Sequence, residues 1–193
     1  NHVVITSVDR DDLEDGGASH FKLTIEKIKK FNPKTTIEIL TPDFFNKDNA
    51  ESVLYNSEID VFNHNLETIE RLYPDVRPGA NYKNSINLLN RFKVNSPSTY
   101  TKSGIMIGLG EKTDEIICLM DDLLSIKVDF LTIGQYLRPT KNHFPVIKYH
   151  EPSYFYDLKK EALMRGFKIV SSSPFTRSSF HADKDFNLLR KIN

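Results

Sequence analysis

The sequence is poorest in cysteine. Of 193 residues only Cys118 carries a thiol. No disulfide can close within the chain, and cysteine alone cannot hold an iron–sulfur cluster on it. Cys118 lies in Ile116-Ile117-Cys118-Leu119-Met120, inside a helical pattern, where a packed or half-exposed thiol is expected rather than a nucleophile. Net charge is absent too: 26 Lys+Arg balance 26 Asp+Glu, so no polyanion is implied as a partner and nucleic acid is not expected. No apolar run approaches the roughly 20 residues of a membrane span. Asp9 to Asp15 is acidic where a signal peptide needs a basic and then an apolar stretch. Six histidines are scattered without a zinc-like His-x-x-x-His pair. Among them His64, at a strand end, is read as a hydrogen-bonding rim residue. There is no internal repeat and no low-complexity tract.

What is present is ordinary for a globular protein: 39% hydrophobic and 27% charged residues. The length fits one domain spanning 1–193, able to bury roughly 70% of its unfolded surface. Apolar runs at 3–8, 36–40, 59–63, 104–109 and 130–135 predict strands. A further run at 167–171 could be a last one. Between them lie helical patterns. Phe21, Ile25 and Ile28 make one stripe, ended by Asn32-Pro33. Residues 48–56 suit a short helix, 66–73 a helical turn, and Ile86, Leu89 and Phe92 another helical face. Ile116, Met120, Leu123 and Leu124 mark a helix with Thr113 as its expected N-cap. Pro152 opens another that Gly166 closes. The strands read as continuous apolar runs, which predicts an α/β fold with a parallel sheet covered by helices. A doubly wound sheet and a full or partial barrel both satisfy the pattern. In either, reactive groups belong at the strand C-termini.

Polar clusters follow several strands there: Thr6, Ser7, Asp9 and Arg10; Asn63, His64, Asn65 and Glu67; Glu111; Gln135 and Tyr136. One such cluster would only cap a helix. Four on one rim predict a site for a polar small molecule with an amino-acid end and a ribose. Gly104, Gly108 and Gly110 would let a ligand approach the backbone closely, although Thr113 stands where a dinucleotide fingerprint needs its third glycine. Lys102 could form a Schiff base, but it precedes the predicted strand and is read as solvated or ion-paired.

Beyond these clusters, ordered motifs run through the chain: Thr6-Ser7-Val8-Asp9-Arg10-Asp11-Asp12, Leu40-Thr41-Pro42-Asp43-Phe44, Phe62-Asn63-His64-Asn65-Leu66-Glu67-Thr68, Arg77-Pro78-Gly79-Ala80-Asn81-Tyr82, Thr101-Lys102-Ser103-Gly104 running on to Gly110-Glu111, Gly134-Gln135-Tyr136-Leu137, and Arg177-Ser178-Ser179-Phe180-His181-Ala182. Together they resemble lipoyl synthase, a radical S-adenosylmethionine family. The resemblance covers Val3 to Asp183.

It implies a partial (β/α)6 barrel with about five of its six strands present, and a cluster-ligand segment at 177–182. It implies a sulfurtransferase that inserts sulfur at C6 and C8 of an octanoyl chain carried on a lysine of a lipoyl domain. The cofactors implied are S-adenosylmethionine and two 4Fe–4S clusters, one cleaving S-adenosylmethionine and one serving as sulfur donor. By position Ser179 looks like the serine ligand of the second cluster, with Arg177 steadying its segment. Thr6, Ser7 and Asp9 match the amino-group side of S-adenosylmethionine, Asn65 and Glu67 the ribose side, and Gln135 and Tyr136 the adenine side. Phe180 stands where the family usually has Tyr. The family's two cysteine motifs lie upstream of Val3, so the sequence is expected to be an N-terminally incomplete piece, inactive by itself. Implied partners are octanoylated lipoyl domains of 2-oxoacid dehydrogenase complexes or the glycine cleavage H protein, with ferredoxin or flavodoxin as electron donor. A plastid-type organelle or a bacterial cytoplasm is the expected location. Two alternatives stand beside this reading. One is a cluster-free module that binds S-adenosylmethionine or a lipoyl domain without turnover. The other is an aldolase-type barrel using Lys102.

Overall fold

The computed structural model describes residues 1–44, 47, 49–179, 182, 183 and 186. Six strands form one sheet: β1 (His2–Thr6), β2 (Thr36–Leu40), β3 (Val61–Asn63), β4 (Tyr100–Ile107), β5 (Phe130–Gln135) and β6 (Ile169–Ser172). All neighbours are parallel, and the spatial order is the chain order, β1 to β6. That order decides between the two architectures. Each crossover steps the same way, so right-handed connections put every helix on one face, whereas a doubly wound sheet must reverse its strand order. The arrangement is therefore that of an open, partial barrel. The sheet also holds one strand more than the five expected, because the optional run near 167–171 does pair, as β6 against β5.

Helices α1 (Ala18–Phe31), α2 (Tyr73–Val76), α3 (Tyr82–Asn95), α4 (Thr113–Ser125) and α5 (Pro152–Arg165) connect the strands. Two short 3-10 turns, at Ala50–Leu54 and Glu70–Leu72, stand where a short helix and a helical turn were expected. Asn81 caps α3 by accepting a bond from Asn84 N at 3.0 Å. At α4 the cap is Lys112 rather than Thr113. The Glu115 carboxylate accepts from Lys112 N, while the Thr113 hydroxyl pairs with Tyr154 Oη. Gly166 closes α5 at φ 122°, a left-handed backbone that favours glycine.

The helices bury one face of the sheet. Ile37, Ile39, Phe62, Ile105, Ile107, Leu131, Ile133 and Val170 point outward into a core shared with Phe21, Ile25, Leu89, Phe92, Met120 and Leu158. Phe62 and Phe92 stack at 3.8 Å. The inner face departs from the continuous apolar pattern. Glu38, Asn63, Lys102 and Thr132 alternate with the outward residues and are all buried. Towards the strand starts the inner face turns apolar, where Val61, Phe130 and Ile169 gather with Phe186 and Tyr100.

Candidate functional site

The turn after β3 forms the centre of the rim. Leu66 is buried against the core, and Glu67 takes φ 64° while its backbone bridges to β4, donating to Gly104 O and accepting from Met106 N. A left-handed non-glycine residue costs free energy, so its surroundings must fix it. They do so through three groups. Arg77 donates to Asn65 O and Leu66 O, each at 3.4 Å, and to Asp43 Oδ2 at 2.9 Å. His64, almost wholly buried, sets Nδ1 3.0 Å from Thr41 O and Nε2 2.8 Å from Asp43 Oδ1. Ser85 donates to Asp43 at 3.1 Å. Burial would raise the Asp43 carboxyl, but the hydrogen bond and charge of His64, with Arg77 and Ser85, outweigh it and lower the group to about 2. His64 is thus a rim hydrogen-bonder, as read from the sequence, and Asp43 is the anion it serves.

Asn65 and Glu67 meet directly, with Asn65 Nδ2 donating to Glu67 Oε1 at 2.9 Å. Asn65 Oδ1 accepts from the Ser178 hydroxyl at 2.9 Å. The segment 173–179 therefore folds back across the inner face and joins the third-strand motif, 113 positions away in sequence. Ser178 O also accepts from Lys102 Nζ at 2.5 Å, and that ammonium is paired with Glu38 at 2.9 Å. Lys102 lies inside β4, which begins four residues before the predicted start. It is ion-paired and nearly free of solvent, so the solvated option falls.

Ser179 lines an open cavity of about 690 Å³ with His2, Val4, Lys34, Thr36, Ala182 and Asp183. Arg177 is exposed, and its Nη1 donates to Thr176 O at 2.7 Å, within its own loop. Phe180 and His181 lie outside the described residues. Thr6, the last residue of β1, and Ser7 and Asp9 just beyond it stand exposed, with the Ser7 hydroxyl turned to Val8 O and Arg10 paired with Asp12 at 2.7 Å. Gln135 and Tyr136 differ in kind from these. The Gln135 amide donates to Tyr136 O and Lys148 O and accepts from His150 N, and Tyr136 Oη donates to Phe144 O. Both side chains hold the 144–150 loop to the end of β5. Glu111 likewise turns inward, accepting from Gly108 N at 2.5 Å and Leu109 N at 2.8 Å.

The glycines serve close approach, but of protein to protein. A Cβ on Gly104 would meet Thr132 Oγ1 at 2.5 Å and Asn65 Oδ1 at 2.9 Å. One on Gly108 would meet Gln135 Nε2 at 2.2 Å, and one on Gly134 the Thr176 carbonyl at 2.2 Å. The ion-paired reading of Lys102 holds, but the sequence reading missed its partner Glu38 and its place inside β4. Their signal was there in polar residues at alternate positions of otherwise apolar strands, which mark a second, polar face; Ser178 was quoted only as part of its motif.

The donor set fits one implied group and not the other. Cys118 is exposed on α4, a helix of the outer layer, and no cluster of His, Cys, Asp and Glu among the described residues could hold a metal ion. The residues do not fit an iron–sulfur cluster. Exposed carboxylate and hydroxyls beyond β1, with Asn65 and Glu67 across the rim, do fit a ligand bearing an ammonium and a ribose.

The radical SAM superfamily matches residues 1–123. Among solved structures, Streptococcus suis SuiB superposes with a TM-score of 0.63 at 14% identity, over 93% of this chain and 40% of that one. SuiB bound to S-adenosylmethionine gives 0.63 at 13% identity, over 94% and 41%. Methylornithine synthase (PylB) gives 0.60 at 14% identity, over 99% and 66%. At such identities the likeness is one of fold. The chain spans two-fifths of the length of SuiB and under two-thirds of PylB.

Proposed function

This chain belongs to the radical SAM superfamily, and from that premise we propose that it is the barrel of a lipoyl synthase. The reaction proposed is insertion of two sulfur atoms, at C6 and C8, into an octanoyl chain borne on a lysine of a lipoyl domain. One observation carries the reading: the Arg177-Ser178-Ser179 segment returns to the rim and bonds Asn65 through Ser178. Two motifs far apart in sequence, each matching the lipoyl synthase pattern, thereby become one site.

The proposed roles follow from position and chemistry. Thr6, Ser7 and Asp9 would hold the amino-acid end of S-adenosylmethionine, Asp9 by its charge. Asn65 and Glu67 would take the ribose hydroxyls, with Arg77 and His64 fixing their turn. Gln135 and Tyr136 would border the adenine by packing, because their side-chain polar atoms and backbone N–H groups are engaged elsewhere. S-adenosylmethionine, when bound, is the source of the hydrogen-abstracting deoxyadenosyl group. An apolar floor of Val61, Phe130, Ile169 and Phe186 fills the inner face at the starts of β3, β5 and β6, while the cavity opens beside the starts of β1 and β2. Ser179 faces the cavity beside β1, where a ligand could be received. With Cys118 its single cysteine, this sequence does not itself carry the thiolates of an iron–sulfur cluster.

Proposed with this reading are an octanoylated lipoyl domain as substrate, from a 2-oxoacid dehydrogenase complex or the glycine cleavage H protein, and a ferredoxin- or flavodoxin-type electron donor. A plastid-type or bacterial setting goes with them. The lack of thiolates near the rim favours a second reading, a module that binds S-adenosylmethionine or the lipoyl domain without turnover. The test is to express the full-length protein, reconstitute it anaerobically with iron and sulfide, and supply an octanoylated lipoyl-domain peptide, S-adenosylmethionine and a reductant. Peptide mass should rise by two sulfur atoms, less two hydrogens once the dithiol is air-oxidised to the disulfide. Binding of both ligands with no deoxyadenosine and no mass change would instead establish the second reading.

A further inference from the structure

A buried ion pair sits beneath the rim with a role that the proposed reaction does not give it. Lys102 and Glu38 side chains are 4% and 2% exposed. The ammonium donates to Glu38 Oε1 at 2.9 Å and Oε2 at 3.2 Å, and Asn63 Nδ2 donates to the same carboxylate at 2.8 Å. His2 Nε2 lies 3.8 Å from its other oxygen. An ammonium carries three hydrogens, and beyond those on Glu38 its bond goes to Ser178 O at 2.5 Å. A charge-assisted bond to a carbonyl is stronger than a neutral one, and burial protects it from competing water. From Ser178 the chain of bonds continues through its hydroxyl to Asn65 and from Asn65 to Glu67. Strand β2, strand β4, the 173–179 loop and the 64–67 turn are thus tied in one line. Buried and held by Glu38 and Ser178 O, this side chain is out of reach of a carbonyl substrate, which argues against aldolase chemistry.

We propose that Lys102 is a positioning residue whose ammonium latches the Arg177–Ser179 loop onto the Asn65–Glu67 turn. Ser179 follows the latched carbonyl directly, so Lys102 sets where that hydroxyl stands in the cavity. Asn65, gripped by Ser178, is held in one orientation. The inference rests on the reading that these two loops form a single site.

Removing the lysine by itself would strand a buried carboxylate and risk unfolding. The test therefore uses the full-length protein with Lys102→Met and Glu38→Gln together, which removes both charges and keeps an acceptor for Asn63. Lys102→Met with Glu38→Leu is a second route to the same state. Amide hydrogen exchange is followed on the peptide covering 173–179, with β4 and β5 as internal reference, and S-adenosylmethionine binding is titrated in parallel. The latch predicts exchange at the hydrogen-bonded Ser173 and Thr176 amides faster by about tenfold or more, roughly the worth of one charge-assisted bond, with the strands still protected. Binding should weaken by a similar factor. A folded pair variant with unchanged exchange at Ser173 and Thr176 would overturn the latch. Faster exchange with unchanged binding would support the latch and count against Asn65 and Glu67 as the S-adenosylmethionine side of the site.

Discussion

Gly134→Ala tests how the 173–179 loop is seated. A Cβ on Gly134 would come 2.2 Å from the Thr176 carbonyl oxygen and 3.1 Å from Arg177 Nη1, where ordinary contact begins near 3.4 Å. The obstructing atom is backbone, so no side chain can rotate away, and the loop must retreat by about 1 Å. Two bonds seat it on the sheet, Gln135 N to Pro174 O and Ser173 N to Ile133 O, both 3.2 Å. Losing them costs about 1 kcal/mol each. If the loop resists, overpacking costs about 1–3 kcal/mol instead. Gly134 has no left-handed φ, so alanine itself is allowed and returns about 0.5–1 kcal/mol by restraining the unfolded chain. The net expectation is a loss of about 1–2 kcal/mol, read as a lower urea midpoint at unchanged m-value. Exchange should be faster at 173–179. The control is Gly79→Ala, where a Cβ meets nothing within 4 Å, and which should stay within about 0.5 kcal/mol of wild type. Equal stability and equal exchange for Gly134→Ala would show that the loop does not lie against β5 and that Ser178 does not reach Asn65.

Other perturbations probe separate parts. Phe62→Ala empties a fully buried site stacked on Phe92 at 3.8 Å, and urea denaturation should show a loss of about 3–5 kcal/mol. Asn81→Ala removes the cap of α3 and should cost about 1 kcal/mol in the same assay. The Asp43 carboxyl is lowered to about 2 from an ordinary 3.8. Its contribution is complete above the unfolded value and fades as pH falls towards 2, by at most about 2 kcal/mol. Comparing wild type with Asp43→Asn at pH 6 and pH 3 should show a stability gap that narrows on acidification. A gap independent of pH would mean that Asp43 acts by packing and not by charge.

The outward half of this fold was legible in the sequence because it obeys one rule. Every strand presents its branched apolar residues to the helices, and each helix returns a stripe at the 3.6-residue period. Strand existence, parallel direction and helix positions all follow from that, and β5 falls within the predicted bounds. What did not follow is what periodicity cannot carry. Strand order, which separates an open barrel from a doubly wound sheet, is a long-range property. Lys102 fell before the predicted strand because Tyr100, Thr101, Lys102 and Ser103 look like a loop when hydrophobicity is the only guide, whereas in the sheet the ammonium points inward to Glu38.

The candidate site divides along the same line. Residues after β3 could be placed in advance because a parallel sheet sends every strand end to one rim. Asn65 and Glu67 do meet there. Gln135 and Tyr136 share that rim, yet their side chains are consumed by the loop that follows, since a polar residue at a strand end can serve backbone carbonyls as readily as a ligand. Which of the two it serves depends on how many unpaired backbone groups the next loop brings. The loop at 144–150 brings several; in the turn after β3 the Asn65 and Leu66 carbonyls are already met by Arg77 and the Tyr73 hydroxyl. Rim residues whose neighbouring turn is already satisfied by other side chains keep more capacity to bind: Asn65 has one amide hydrogen beyond its bond to Glu67, whereas both amide hydrogens of Gln135 are taken.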